Sequence, residues 1–257
     1  MPTLTIDAQL ITVAEGSTVL EAIRQVGIHL PTLCYWEGLP PYGACRLCLV
    51  EVSQPKAELI AACAYPVTDG MVIDTRGSRA LAVRKMMLEF MLARCPTSEI
   101  IRTLAEEAGV THSRFPPNPN TAELCVLCGL CVRVCRDAVG AAAISFVNRG
   151  ADRKVDSPFH LQSEACIGCG ACAAVCPTNA IFIEDVGEMR LLHTWNTTVL
   201  LKPCPRCGQP YAPDPMAFLQ ARVPASAHLY GLCPACRRKT TMGQLEVIRD
   251  AGYWDPP

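Results

Sequence analysis

Short runs of alternating apolar and polar residues open the chain. Leu4 and Ile6 alternate with threonines over residues 3–6, and residues 9–13 (Gln-Leu-Ile-Thr-Val) follow an Asp7-Ala8 turn, so two short strands are predicted. Thr18-Val-Leu-Glu21 is a capping box that starts a helix, and Gly27 stands where a glycine closes one. Strand composition returns at Leu47–Val52 and Met71–Thr75. The period then lengthens. Residues 79–92 carry apolar side chains at 81, 88, 91 and 92 and basic ones at 84 and 85, an amphipathic helix ended by Pro96. Thr97 or Ser98 caps a second helix running through Ile100, Ile101, Leu104 and Ala108 to Gly109. Arg114-Phe-Pro-Pro-Asn-Pro-Asn120 fits neither helix nor sheet interior and reads as a linker. Beyond it, residues 142–147 read as a strand with a turn at Asn148-Arg-Gly150, and Arg190-Leu-Leu192 and Thr198–Leu201 read as strands. Asp214 and Pro215 sit as N-cap and first residue of a short helix through Arg222.

Composition narrows this α+β pattern. A chain of 257 residues accommodates several small domains. Its net charge of −1, from 23 basic and 24 acidic side chains, provides no electrostatic basis for nucleic acid or a membrane surface. No apolar run approaches the roughly 18 residues of a transmembrane helix, and the N-terminus lacks the basic and apolar regions of a signal peptide. Direct membrane insertion is therefore not expected. Seventeen cysteines change the picture, because they cluster in C-x2-C pairs, a spacing that favours metal ligation over a disulfide framework. Thiolate ligands need a reducing compartment, and a cytoplasmic location is expected. With only 6% aromatic residues, ligand bonds stand in for part of the usual core.

The central pattern is Cys125-x2-Cys128-x2-Cys131-x3-Cys135, thirty intervening residues, then Cys166-x2-Cys169-x2-Cys172-x3-Cys176-Pro177. Each run has the spacing that wraps thiolates around a [4Fe–4S] cube, and in two-cluster ferredoxins the fourth cysteine of each run serves the other cube. One cube is assigned to Cys125, Cys128, Cys131 and Cys176, and the second to Cys135, Cys166, Cys169 and Cys172. Upstream, Cys34, Cys45-x2-Cys48 and Cys63 have a [2Fe–2S] arrangement with a first loop longer than the plant-type C-x4-C-x2-C. A zinc site is the alternative there, but only one C-x2-C knuckle is present. Gly43 lies where the backbone must curl its N–H groups onto sulfur. Hairpin, helix and cysteine loop together open a β-grasp ferredoxin. Near the end, Cys204-x2-Cys207 and Cys233-x2-Cys236 form a four-thiolate site, with structural zinc ahead of mononuclear iron or a further cluster. Gly168-Cys-Gly170-Ala-Cys-Ala173 matches a dinucleotide fingerprint, but its cysteines are cluster ligands and no strand–helix context surrounds it. The basic Arg237-Arg-Lys239 run reads as a solvated rim.

Leu30-Pro-Thr-Leu-Cys34-Tyr, Gly43-Ala-Cys45-Arg-Leu-Cys48-Leu-Val-Glu-Val52 and Ala62-Cys63-Ala-Tyr-Pro-Val-Thr-Asp-Gly-Met71 resemble one family. It includes the N-terminal part of the large iron–sulfur subunit of respiratory complex I and the small diaphorase subunit of NAD-linked hydrogenases. It also includes the N-terminal arm of some iron-only hydrogenases and formate dehydrogenases. The resemblance covers about residues 1–186. It implies a [2Fe–2S] domain followed by cubane domains. A long insert between the cubane motifs, here 136–165, is shared with the relatives, although Arg136 replaces the usual proline. Many relatives hold a further cluster bound by one histidine and three cysteines. Here only Cys95 lies between Cys63 and Cys125, with His112 downstream, so that cluster is expected to be absent. Cys95 then reads as a small buried residue and His112 as an ordinary histidine.

The expected architecture is a [2Fe–2S] β-grasp domain (1–78), a helical spacer and linker (79–117), a two-[4Fe–4S] domain (118–186) and a zinc-ribbon-like tail (187–257). Every chemical feature moves single electrons, and no catalytic triad, phosphate loop or dinucleotide fold is present. The resemblance implies a non-catalytic electron-transfer subunit between a flavin/NAD(P)H-oxidising subunit and a catalytic one. That catalytic partner would be a hydrogenase, a formate dehydrogenase or another low-potential reductase. A free multi-cluster carrier between separate enzymes is the alternative.

Overall fold

The computed structural model describes residues 1–213 and 231–241. They form two compact units, one of Met1–Val134 with Val175–Ala180, the other of Cys135–Ala174 with the described residues from Ile181 onward.

The first unit begins with a five-stranded sheet of order β2-β1-β5-β3-β4. Its strands are β1 (Thr3–Ile6), β2 (Gln9–Thr12), β3 (Leu49–Gln54), β4 (Glu58–Ala61) and β5 (Val72–Asp74). β1 and β2 form the expected hairpin, and Asp7 and Ala8 both take positive φ at its tip, the conformation that suits the twist of a two-residue hairpin turn. Helix α1 (Val19–Gln25) starts with both bonds of the capping box, Glu21 N–H to Thr18 Oγ1 at 3.3 Å and Thr18 N–H to Glu21 Oε2 at 2.7 Å. It packs Val19, Leu20 and Ile23 against Leu4, Ile6, Val50 and Ile73 of the sheet, the β-grasp arrangement. β4 escaped the sequence pattern because it is an edge strand with only Ile60 buried, so it shows little alternation.

Helices α2 (Ser78–Arg94) and α3 (Glu99–Glu107) follow as the pattern predicts, burying Leu88 and Met91 of one and Ile101 and Ala105 of the other with Leu33 and Leu47. Ser98 occupies the N-cap position, but its hydroxyl makes no capping bond and is buried without a partner among the described residues. The Pro/Asn stretch lies alongside α2 and runs in the same direction. Phe115 stacks on Phe90 at 4.2 Å, Arg114 pairs with Glu89 at 2.7 Å, and the Asn118 N–H donates to Ala93 O at 2.7 Å. An extended proline-rich backbone has few hydrogen bonds of its own to make, so its polar groups dock on the neighbouring helix.

In the second unit, the insert folds into a hairpin of β6 (Ser145–Val147) and β7 (Lys154–Asp156). β8 (Ile183–Val186), β9 (Met189–Leu192), β10 (Thr197–Pro203) and β11 (Pro210–Pro213) make an antiparallel sheet of order β11-β10-β9-β8. β7 and β8 were not evident in the sequence, since each buries at most one side chain. The helix expected over residues 214–222 lies outside the described residues. Among the described residues no helix is long and apolar enough to cross a membrane.

Candidate metal centres

The cysteine loop between α1 and β3 supplies Cys34 and Cys45, Cys48 stands just before β3, and Cys63 lies in the turn after β4. All four are buried, and none is in a disulfide. Their turn is held by the start of α1, whose Val19 and Leu20 N–H groups donate to Tyr65 O and Ala62 O at 2.9 Å each. The Cys34 and Cys45 sulfurs lie 3.4 Å apart, and the Cys45 N–H reaches Cys34 Sγ at 3.4 Å. Hydrogen bonds from the Cys45 and Cys63 thiols, reinforced by the main-chain N–H groups of Cys45 and Ala44, hold the Cys34 thiol far below its ordinary range despite burial. Gly43 has φ +66, a conformation that lets the loop turn its N–H groups inward without a Cβ penalty. Four buried sulfurs with main-chain N–H groups turned onto Cys34 make a site suited to a [2Fe–2S] group.

The two cubane motifs repeat one local geometry. Leu127 and Gly168, each third in its C-x-x-C, have φ of 56 and 62, and Gly129 and Gly170, each following the second cysteine, have φ of 76 and 77. The result is the same set of N–H donors. Leu127 and Leu130 donate to the sulfurs of Cys125 and Cys128, while Gly168 and Ala171 donate to those of Cys166 and Cys169. Burial pushes all four thiols up, Cys128 to about 11, while the N–H bonds oppose it. Anionic sulfur in such surroundings needs a metal, and the donors are placed to support it.

Each fourth cysteine falls in the unit of the other motif. Cys176 belongs to the first unit with Cys125, Cys128 and Cys131, where Ala180 N–H donates to its sulfur at 3.3 Å. Cys135 belongs to the second, where Ala143 N–H donates to its sulfur at 3.4 Å. There Cys135, Cys166, Cys169 and Cys172 line one apolar cavity with Ile144, Leu192 and Trp195. Trp195 is buried, its Nε1 makes no close hydrogen bond among the described residues, and its side chain faces Cys172 closely enough to favour the thiolate. A buried indole N–H aimed at sulfur, in a cavity ringed by four cysteines, fits a sulfur-containing occupant. Arg190 braces the same loop, donating to Gly168 O at 2.9 Å and pairing with Asp185 at 2.7 Å. Neither Trp195 nor Arg190 carries a motif, so only packing identifies them.

In the first unit the [2Fe–2S] loop and the first cubane motif share one hydrophobic cluster. Val126 and Cys128 pack against the group that contains Cys34, Cys45, Leu33 and Leu47. Cys95 ends α2 fully buried, and burial raises its thiol to about 12. His112 is exposed and bonds Thr111 Oγ1 at 3.1 Å.

The tail cysteines Cys204, Cys207, Cys233 and Cys236 converge, with their four sulfurs all within 4.8 Å of one another. Cys233 N–H donates to Cys204 Sγ and Cys236 N–H to Cys233 Sγ, both at 3.4 Å. The Cys233 N–H is the largest influence lowering the Cys204 thiol to about 6. The knuckle is closed by Gly208 N–H to Cys204 O and Cys204 N–H to Gln209 O, both at 2.8 Å.

Fold and cysteine geometry together define an iron–sulfur protein with a [2Fe–2S] domain ahead of a [4Fe–4S] dicluster region. Family models agree. A 2Fe-2S iron-sulfur cluster binding domain matches residues 1–78, and 4Fe-4S dicluster domains match 124–180 and, overlapping, 158–212. An NADH-quinone oxidoreductase subunit of Rhizobium meliloti (strain 1021) is 33% identical over 229 residues, covering 80% of this chain and 26% of the relative. The HndD subunit of the NADP-reducing hydrogenase of Solidesulfovibrio fructosivorans is 34% identical over 210 residues, covering 70% of this chain and 36% of the relative. A chain of the crystal structure of NAD+-reducing [NiFe]-hydrogenase in the H2-reduced state matches with a TM-score of 0.53 at 30% identity, over 61% of this chain and 75% of that chain. The chain belongs to this family of iron–sulfur subunits of NAD(P)-linked oxidoreductases and hydrogenases. It spans 26% and 36% of the length of those two curated relatives. The likeness also runs past residue 186, since a dicluster model reaches residue 212.

Proposed function

We propose that the chain relays single electrons between a flavin/NAD(P)H-oxidising subunit and a catalytic subunit of a multi-subunit oxidoreductase, in a reducing compartment such as the cytoplasm. In this reading Cys34, Cys45, Cys48 and Cys63 hold a [2Fe–2S] cluster. Cys125, Cys128, Cys131 and Cys176 hold one [4Fe–4S] cluster, and Cys135, Cys166, Cys169 and Cys172 hold another. Such clusters supply one-electron carriers with no open position for substrate. The observation that carries the reading is the shared apolar cluster joining Cys34 and Cys45 to Cys128, which packs two of the sites into one core. The exchange of fourth ligands is supported by the membership of Cys176 and Cys135 in opposite units.

Cys204, Cys207, Cys233 and Cys236 hold zinc in this reading, in a tail that docks a partner. A tetrahedral ion with metal–sulfur bonds of about 2.3 Å needs sulfurs about 3.8 Å apart. The tail sulfurs, all within 4.8 Å, suit that better than a cube, although a dicluster model extends over Cys204 and Cys207.

Metal analysis tests the assignment. About ten irons and one zinc per chain are expected, and about fourteen irons without zinc would make the tail a further cluster. Cys176→Ala should remove the first cube and leave the [2Fe–2S] signal; loss of the [2Fe–2S] spectrum instead would break the division of ligands. Co-purification tests the relay. Elution of the natively expressed chain by itself, with no flavoprotein or catalytic subunit, would exclude the subunit role.

A further inference from the structure

Arg133 is the most unusual charged residue of the first unit. It sits on helix α4 (Leu130–Arg133), two residues after the cubane ligand Cys131, and is only 5% exposed. Its guanidinium reaches out of the cubane motif into the [2Fe–2S] loop. Nη2 donates to the carbonyl of Cys34 at 2.5 Å, Nη1 donates to the carbonyl of Pro40, and the group stacks 5.2 Å from the centre of the Tyr42 ring. Nε is buried with no hydrogen-bond partner among the described residues. Among the described residues Arg133 makes no ion pair.

A buried guanidinium held by two neutral carbonyls and a ring leaves its charge uncompensated, and the desolvation penalty makes that situation costly. Proteins keep such a cation where negative charge lies close by. The anionic groups implied here are the two iron–sulfur sites, and Arg133 lies on the ligand loops of both. We propose that Arg133 is the shared counter-charge of the [2Fe–2S] and first [4Fe–4S] sites, a positioning residue that raises both reduction potentials and pins the cubane helix to the Cys34 carbonyl. The proposal rests on the cluster assignment above. Reduction adds one electron to a cluster and breaks no bond, so a fixed cation favours the reduced form of each neighbour by Coulomb attraction. Because one side chain serves both sites, their potentials should move together.

The test uses the full chain, reconstituted anaerobically and titrated with dithionite under electron paramagnetic resonance. Spectra and iron content of the wild type establish independently whether the clusters are present, so a failed assignment is recognised before any variant is read. In Arg133→Met the reduction equilibria of the [2Fe–2S] and first cubane clusters should each fall about tenfold or more, ~59 mV for a one-electron couple. The second cubane should move less. Arg133→Lys, which keeps the charge and loses the fork, should restore most of both shifts. Unchanged potentials in a loaded Arg133→Met protein overturn the proposal, as does a shift in only one of the two clusters. So does an Arg133→Lys protein that shifts as far as Arg133→Met. If Arg133→Met and the neutral Arg133→Gln both fail to load clusters, loading of both by Arg133→Lys supports the counter-charge role. Failure of Arg133→Lys as well reduces Arg133 to packing and ends the proposal.

Discussion

Cys48 and Cys63 lie in a core that also holds Leu4, Ile6, Leu20, Ile23, Val50 and Ile73, so the sheet and helix around the [2Fe–2S] site have apolar packing of their own. Cys204, Cys233 and Cys236 are themselves the buried residues of their cluster, with only Tyr211 and Leu232 packed against them among the described residues. In the first case a fold presents thiols to a metal. In the second, on the proposed reading, a metal would replace the core. The difference follows from chain investment: the β-grasp gathers five strands and a helix before it closes around its loop, while the tail has two knuckles closed by short main-chain bonds. A site of the second kind folds with its ion.

The largest expected effect comes from removing the tail metal. A strong chelator at neutral pH should abolish hydrogen-exchange protection over residues 204–210 and 233–241 while the β-grasp amides stay protected, since a structural ion contributes about 10–16 kcal/mol of apparent binding energy to such a module. Equal protection before and after chelation would erase the contrast. A smaller effect is expected on the other side. Thr18→Ala removes the hydroxyl half of the capping box at the end of α1 that steadies the Cys63 turn, and should cost about 1 kcal/mol in denaturant melts without losing the cluster. Loss of the cluster in that variant would show that the [2Fe–2S] site depends on local order as the tail does. The smallest concerns the Asp185–Arg190 pair beside the second cubane loop. Arg190 lowers the Asp185 carboxyl below its ordinary 3.8, so the contribution of the pair is present above that value and fades as pH falls through the lower folded one. Asp185→Asn should flatten that acid limb by a few tenths of a kcal/mol, about the size of an exposed ion pair. An identical acid profile in the variant would exclude the pair as a contributor.

Much of the site was legible from spacing. C-x-x-C runs hold twelve of the seventeen cysteines, and the wider spacing around them marked Cys34, Cys63, Cys135 and Cys176 as ligand candidates too, because metal geometry constrains sequence separation directly. The capping box, the first hairpin and both spacer helices were also readable, each resting on neighbours a few residues apart. Edge strands β4, β7 and β8 were not, since a strand with little buried surface leaves little alternation. Ser98 shows the limit of cap signals, since it takes the N-cap position while its buried hydroxyl makes no capping bond.

The chain by itself determined which chemistry it carries, one-electron sulfur-bound metals, and which residues are candidates to bind them. Only the tertiary structure decided how the sites are supported. It laid the Pro/Asn stretch along α2, set Trp195 at the edge of the second cubane cavity and carried Arg133 across to the carbonyl of Cys34. The reason is physical. Ligand spacing is local and constrains the sequence, whereas Arg133 and Cys34 are 99 residues apart, and no periodicity along a chain records which distant backbone a buried cation will meet.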